Sequence, residues 1–423
     1  MASIQKRGHN SWRVVVSAGY DSAGKKIVKT KTFKKPPEMT DKQWEKELQK
    51  LAIEFERQVE KGTALGGNVT LKEFVERWLK EYAEIQLEPK TLESYKHELN
   101  TKILPALGHI RLDKLTPVHI LSFLNNLLED GVRQDGRPGP YSNRVIKYQH
   151  QILSSILQTA VYWQVIESNP CARVKCPKRD VVENKVKYFD ENQAAIFLEA
   201  IKDEPLKYQV LANLALFMGL RKGELLALTW NDVDLKTGEL TVNKAISFTK
   251  EKGAFVKSPK TESSIRTLAM PQSLVALLKK YKAWQNEQRL KCGDLWDKDW
   301  EEHPWLFTTW NGKLMDYHSP YTWFSKFIKR HNEKIKNDDT IPENEKSSYL
   351  LPEISFHGLR HTSATLLISE NIDVRTVSAR LGHNQVSTTL NIYSHSLKAA
   401  DRKAADSLEK LLTEKAKASI KQT

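Results

Sequence analysis

The stretch that decides the reading runs from Ser355 to His395: SFHGLRHTSATLLISENIDVRTVSARLGHNQVSTTLNIYSH. Its start reads as the opening of a helix, with His357 and Arg360 at i, i+3 spacing and therefore on one face. Leu381-Gly-His383 follows, and ten residues later Tyr393 stands within Asn391-Ile-Tyr393-Ser-His395. Each feature alone is weak, because a tyrosine near a helix end usually packs. His357 and His361 also have the i, i+4 spacing of a zinc-binding helix. That reading fails on the intervening residues. Position 358 is Gly where the HExxH base would be Glu, and Arg360 on the same face would repel a divalent cation.

Two earlier stretches add polar groups of the same kind. Met218-Gly-Leu-Arg221-Lys-Gly-Glu224-Leu puts an arginine where one helix ends and another begins. Ser258-Pro-Lys260-Thr-Glu-Ser-Ser-Ile-Arg266 reads as a hairpin turn between two strands. Around them, residues 188–396 read as mainly α with a small β-sheet from Glu239 to Met270, opened by the cap pair Asp190 and Gln193. Residues 284–304 and 331–352 read as long polar insertions.

Upstream, the pattern changes twice, so the chain reads as multidomain. Residues 1–62 form a small three-stranded sheet plus a helix. Trp12–Ala18 and Lys26–Phe33 are β-rich, and Pro36-Pro37 ends the sheet. One face is expected to present Arg13, Ser17, Lys29 and Lys31, the other Val14, Val16 and Val28. Thr40 or Asp41 caps a helix whose stripe of Trp44, Leu48, Leu51, Ala52, Phe55 and Val59 packs on the sheet. Gly62–Asn68 is a glycine-rich joint. Residues 63–170 then read as an all-α bundle, with helices opened at Thr70, near Pro89, at Thr116 and near Asn143. Lys90, Lys96, Lys102, Arg144 and Lys147 lie outside its apolar stripes. Residues 171–187 read as a basic linker, and residues 397–423 as a tail helix with leucines and alanines at 3–4-residue spacing.

The 423 residues carry 66 Lys and Arg against 52 Asp and Glu, a net charge of +14, which predicts a polyanionic partner. The first 35 residues are steeper still, with nine basic residues against one acid, Asp21. Three cysteines, Cys171, Cys176 and Cys292, are too few for a disulfide framework, and the first two read as reduced thiols in the linker. The opening MASIQKRGHNS is not a secretory signal, and no apolar run reaches membrane length, so a cytoplasmic location in a bacterial host is expected.

Taken in order, the motifs resemble the tyrosine recombinase, or phage-type integrase, family. HGLRHTSATLL, DVRTVSARLGH and STTLNIYSH look like its signature. Residues 63–170 resemble its helical core-binding domain, residues 188–396 its catalytic domain, and residues 1–62 the AP2-like arm-binding domain of mobile-element integrases. The resemblance implies six catalytic residues: Arg221, Lys260, His357, Arg360, His383 and Tyr393. It also implies DNA contacts from Arg13, Lys29, Lys31, Lys90, Arg144 and Lys147.

The implied reaction accounts for the residue types. Attack on a phosphodiester builds up negative charge, which fixed guanidinium groups grip in a bidentate manner. Tyr393 would attack phosphorus to give a 3′-phosphotyrosyl link, and Lys260 would protonate the leaving 5′-oxygen. His357 would assist proton transfer from the tyrosine, and His383 would hydrogen-bond the scissile phosphate. The link conserves bond energy, and the cations supply what magnesium supplies elsewhere, so no cofactor and no metal are expected. Implied partners are duplex DNA with core and arm-type sites, three further copies of the chain around a Holliday junction, and an excisionase or DNA-bending protein. A type IB topoisomerase and a catalytically silent DNA-binding regulator are the competing readings. Filled catalytic positions weigh against the regulator. The basic N-terminal module weighs against the topoisomerase, which would relax arbitrary supercoiled plasmid.

Overall fold

The computed structural model describes residues 2–20, 24–60, 69–177, 187–257, 265–383, 385–387, 389–390 and 409. The chain separates into two compact units that part between residues 177 and 187.

The first unit begins with three antiparallel strands in sequence order: β1 (Ser3–Gly8), β2 (Ser11–Tyr20) and β3 (Lys26–Lys34). Helix α1 (Asp41–Glu60) starts at Thr40, whose backbone N–H and hydroxyl both donate to the Gln43 side chain. Its Trp44, Leu48, Ala52 and Phe55 bury against Val14 and Val16, as the stripe predicts. The register corrects the expected cationic face. Val14 pairs with Lys31 and Val16 with Lys29, and directly opposed residues point to the same side of a sheet. Lys29 and Lys31 therefore lie on the helix side, where the Lys31 ammonium sits 5.9 Å from the Phe55 ring centre. Val28, opposite Ser17, belongs to the open side with Arg13 and is 49 % exposed.

The bundle follows: α2 (Leu71–Trp78), α3 (Pro89–Glu98), α4 (Pro117–Asn126) and α5 (Asn143–Tyr162). Thr70 and Glu73 form the capping box at α2. The helical path of α3 continues through Leu107. In the core, Trp78 Nε1 donates to Thr159 Oγ1 at 3.1 Å, joining α2 to α5. The expected linker starts too early. Pro170–Arg173 is a short helical turn, and Cys171 is fully buried in the bundle core. Burial pushes the Cys171 thiol up to about 12.

The second unit starts with α6 (Glu191–Ala200), α7 (Leu206–Phe217) and α8 (Lys222–Ala227). Its strands are β4 (Val233–Asp234), β5 (Glu239–Val242), β6 (Ala245–Thr249), β7 (Gly253–Lys257) and β8 (Arg266–Ala269). They form two antiparallel sheets, β4-β5-β8 and β6-β7. Among the described residues β7 and β8 fall in different sheets, and the stretch around Lys260, read as a hairpin turn, lies outside those residues. Helices α9 (Gln272–Cys292), α10 (Ser319–Lys336), α11 (Glu343–Tyr349), α12 (Gly358–Ser369) and α13 (Val374–Leu381) complete the unit. The supposed insertions extend the scaffold. Residues 284–292 end α9, where buried Gln285 accepts from Trp230 Nε1 at 2.6 Å. Residues 331–336 end α10, and Asn332 exchanges hydrogen bonds with the Leu351 backbone. No described helix is long and apolar enough to cross a membrane.

Candidate active site

Helix α7 stops at Gly219, whose φ of +62° suits glycine and where an added Cβ would lie 2.6 Å from Leu381 Cδ2. The chain turns, and Arg221 becomes the N-cap of α8 in extended conformation. Three residues on, the Glu224 carboxylate accepts from the Arg221 backbone N–H at 3.0 Å and from Nη1 at 2.8 Å. Arg221 Nη2 donates to the Gly382 carbonyl at 2.8 Å, so the α7–α8 junction is tied to the end of α13. Gly382 has φ +65° and ends that helix in the left-handed conformation. His383 follows it and shares a 2.8 Å hydrogen bond between Nδ1 and Thr389 Oγ1.

Arg360 stands in the first turn of α12 and is only 2 % exposed, with Nη1 donating to the Gly219 carbonyl at 2.7 Å. His357 caps the same helix. Its ring meets His361 edge-on with centres 4.9 Å apart. Arg221, His357, Arg360 and His383 thus converge, as their order along the chain predicts. Lys260 and Tyr393 lie outside the described residues, as do the 62–68 joint and, apart from Glu409, the 397–423 tail.

Electrostatics follow from burial among cations. Burial, then Arg360 and Arg221, lower the His357 pKa. Burial, then Arg360 and Arg221, also bring His383 to about 4, and burial, His357 and Arg360 bring His361 to about 4. The His361 and His383 rings are therefore neutral at pH 7. Glu224 behaves oppositely. Burial would raise it, but Arg266 and Arg221 win and hold the carboxyl at about 2. Arg266 Nη2 meets Glu224 Oε2 at 2.8 Å, and its Nε donates to the Arg380 carbonyl at 2.9 Å. Glu224 and Arg266 thus buttress Arg221 and the end of α13. Arg380 and Thr389 were not singled out from the sequence. Arg380 donates to the Phe217 carbonyl at 3.0 Å.

The expected DNA contacts scatter. Arg13 is half-buried and donates to Thr30 Oγ1. Lys90, Lys96 and Lys102 pair with Glu93, Glu84 and Glu98. Arg144 and Lys147 are exposed one turn apart on α5, and Lys147 borders an open groove with Gln151, Ser154 and Gln158. Of the tyrosines outside the motif, Tyr141 is buried, Tyr162 is exposed and Tyr188 is 38 % exposed.

Comparison with known proteins fits this site. The pattern of the phage integrase family matches residues 187–400, and that of the phage integrase N-terminal SAM-like domain matches residues 70–128. The chain is 29 % identical to a protein named tyrosine recombinase XerC-like from Caldanaerobacter subterraneus subsp. tengcongensis, over 96 % of this chain and 97 % of that one. It is 28 % identical to the ICEBs1 integrase of Bacillus subtilis, over 97 % and 100 %. Among solved structures, the Tn1549 transposon integrase with circular intermediate DNA superposes with a TM-score of 0.60 at 18 % identity, covering 79 % of this chain and 99 % of that one.

Proposed function

The chain belongs to the phage integrase family of tyrosine recombinases, and from that premise we propose that Arg221, Lys260, His357, Arg360, His383 and Tyr393 cleave and rejoin DNA to integrate or excise a mobile element. The observation that carries this reading is the pair of arginines from separate helices, each pinned to a glycine carbonyl and accompanied by half-buried imidazoles. Such a site is organised before substrate arrives, so little reorganisation opposes charge build-up on the phosphate.

Tyr393 attacks phosphorus, its oxygen replacing the 5′-oxygen, which leaves with a proton from Lys260. The tyrosine proton passes by way of His357. His383 Nδ1 shares its hydrogen bond with the Thr389 hydroxyl, and in the tautomer where the hydroxyl donates, the neutral ring keeps its proton on Nε2 and offers it to a phosphate oxygen. A free 5′-hydroxyl then reverses the step on the exchanged strand. The lambda integrase has been seen as a tetramer bound to a Holliday junction, with a TM-score of 0.50 at 17 % identity, covering 91 % of this chain and 94 % of that one. The same assembly is proposed here, on core and arm-type sites in the bacterial cytoplasm, with an excisionase or DNA-bending protein setting direction. Arg144 and Lys147 are the proposed phosphate contacts of the bundle, and Arg13 that of the open sheet face.

A nicked suicide substrate carrying the attachment site tests the reading. The wild type should form a covalent adduct on a denaturing gel, and Tyr393→Phe should bind the DNA without forming one. An adduct persisting in the variant would assign the nucleophile elsewhere.

A further inference from the structure

The cleavage reaction leaves one basic residue of the Arg221 stretch without a task. The Lys222 ammonium lies 3.4 Å from the centre of the Tyr317 ring and 4.6 Å from that of Tyr321. It makes no hydrogen bond or ion pair with another described residue, so two ring faces are its main company. A partly desolvated cation is attracted to the negative face of such a ring. Tyr317 also stacks on Phe248 of β6, with centres 5.6 Å apart and planes 15° apart. The next residue, Gly223, sits against the same strand: a Cβ there would lie 2.6 Å from the Ile246 carbonyl oxygen. The start of α8 is thus fastened to β6 twice. β6 pairs with β7, and β7 ends at Lys257, three residues before Lys260.

Resting on the reaction above, we propose that Lys222 is a positioning residue: as a cation held on Tyr317 it registers the Arg221 helix against the strand pair leading to Lys260, and loss of its proton loosens the two. A neutral amine has no such attraction to a ring face. Burial lowers the Lys222 pKa to about 8, with Asp316 opposing. The other titratable or charged groups around it are Arg221, Tyr317, His318 and Tyr321. Burial, then Tyr317, raises Tyr321, so its phenol stays neutral where the amine loses its proton. An arginine at this position would keep its charge throughout.

The test is single-turnover cleavage of the suicide substrate from about pH 6.5 to about pH 9.5 by wild type, Lys222→Arg and Lys222→Met. Hydrogen exchange of the β6 and β7 amides is measured alongside. Lys222→Met should cleave roughly ten-fold slower at every pH with unchanged DNA affinity, and its amides should exchange faster. Lys222→Arg should keep most of the activity, and the wild type should fall behind it above about pH 8. Lys222→Met matching the wild type in rate and exchange would overturn the proposal. So would weaker DNA binding with a salt slope smaller by about one, which marks a phosphate contact instead. If even the wild type forms no adduct, the cleavage reading fails, and the exchange comparison still decides whether Lys222 clamps the strands.

Discussion

Replacing Glu224 with Gln should cost the catalytic unit about 3 kcal/mol at pH 7. The figure comes from the carboxyl itself. It is buried, it faces Arg221 and Arg266 at 2.8 Å each, and its pKa falls from the ordinary 4.5 to about 2. Each unit is worth about 1.4 kcal/mol of preference for the charged, folded form. Removing one partner of a buried ion pair typically costs a similar ~3–5 kcal/mol, because the remaining charges stay desolvated. For a unit of this size, the melting transition should drop by about 6–12 °C. The sign fixes the pH dependence. A depressed carboxyl contributes fully above its unfolded value, and its contribution is lost as pH falls from 4.5 towards about 2. Calorimetry of wild type and Glu224→Gln should therefore show a gap that is full at pH 7 and closes progressively through that window. A gap well under about 1 kcal/mol at pH 7, or one that does not shrink on acidification, would refute the account of Glu224 as the charge bridging two arginines.

Lys260→Ala should slow cleavage of ordinary DNA by roughly 10²–10⁴-fold and approach wild type on a 5′-phosphorothiolate substrate, whose leaving group needs no proton. Equal defects on both substrates would make Lys260 a phosphate ligand instead. Gly382→Ala should lower the melting temperature and the cleavage rate together. Its φ of +65° strains alanine by about 1–2 kcal/mol, and the new Cβ would fall 2.7 Å from Arg266 Nη1. Unchanged melting would show that the turn relaxes freely. Deleting residues 1–62 should spare cleavage at an isolated core site yet cripple recombination of full-length attachment DNA. Loss of core cleavage as well would make the module part of the catalytic clamp.

Four of the six proposed catalytic residues, Arg221, His357, Arg360 and His383, were legible through the resemblance of their motifs to the family's signature, and the structure brings these four together. Caps were legible for a local reason: Thr70 with Glu73, and Asp190 with Gln193, each satisfy backbone donors three residues apart. Register was not. A shift of one residue exchanges the two faces of a strand, and nothing local places Lys29 opposite Val16. Polar composition misled in residues 284–304, where Gln285 is buried because its amide meets Trp230 and three further groups supplied by residues 305–308. Cys171 misled similarly, its basic neighbours suggesting a linker while its own side chain fills the bundle core. Nothing local marks Lys222, since its two rings lie almost a hundred residues further on.

The passage of the chain from β7 into a different sheet at β8 bears on how freely segment 258–265 can change length. Within a hairpin, one inserted residue would turn every following side chain to the opposite face. Here β7 takes its alignment from β6 and β8 takes its own from β5. An insertion or deletion between Lys257 and Arg266 therefore alters neither alignment and leaves Arg266 facing Glu224. It changes the reach of Lys260 by up to about 3.5 Å for each residue added. Drift in this segment can thus alter the reach of the acid proposed at Lys260 while leaving the contact of Arg266 with Glu224 in place.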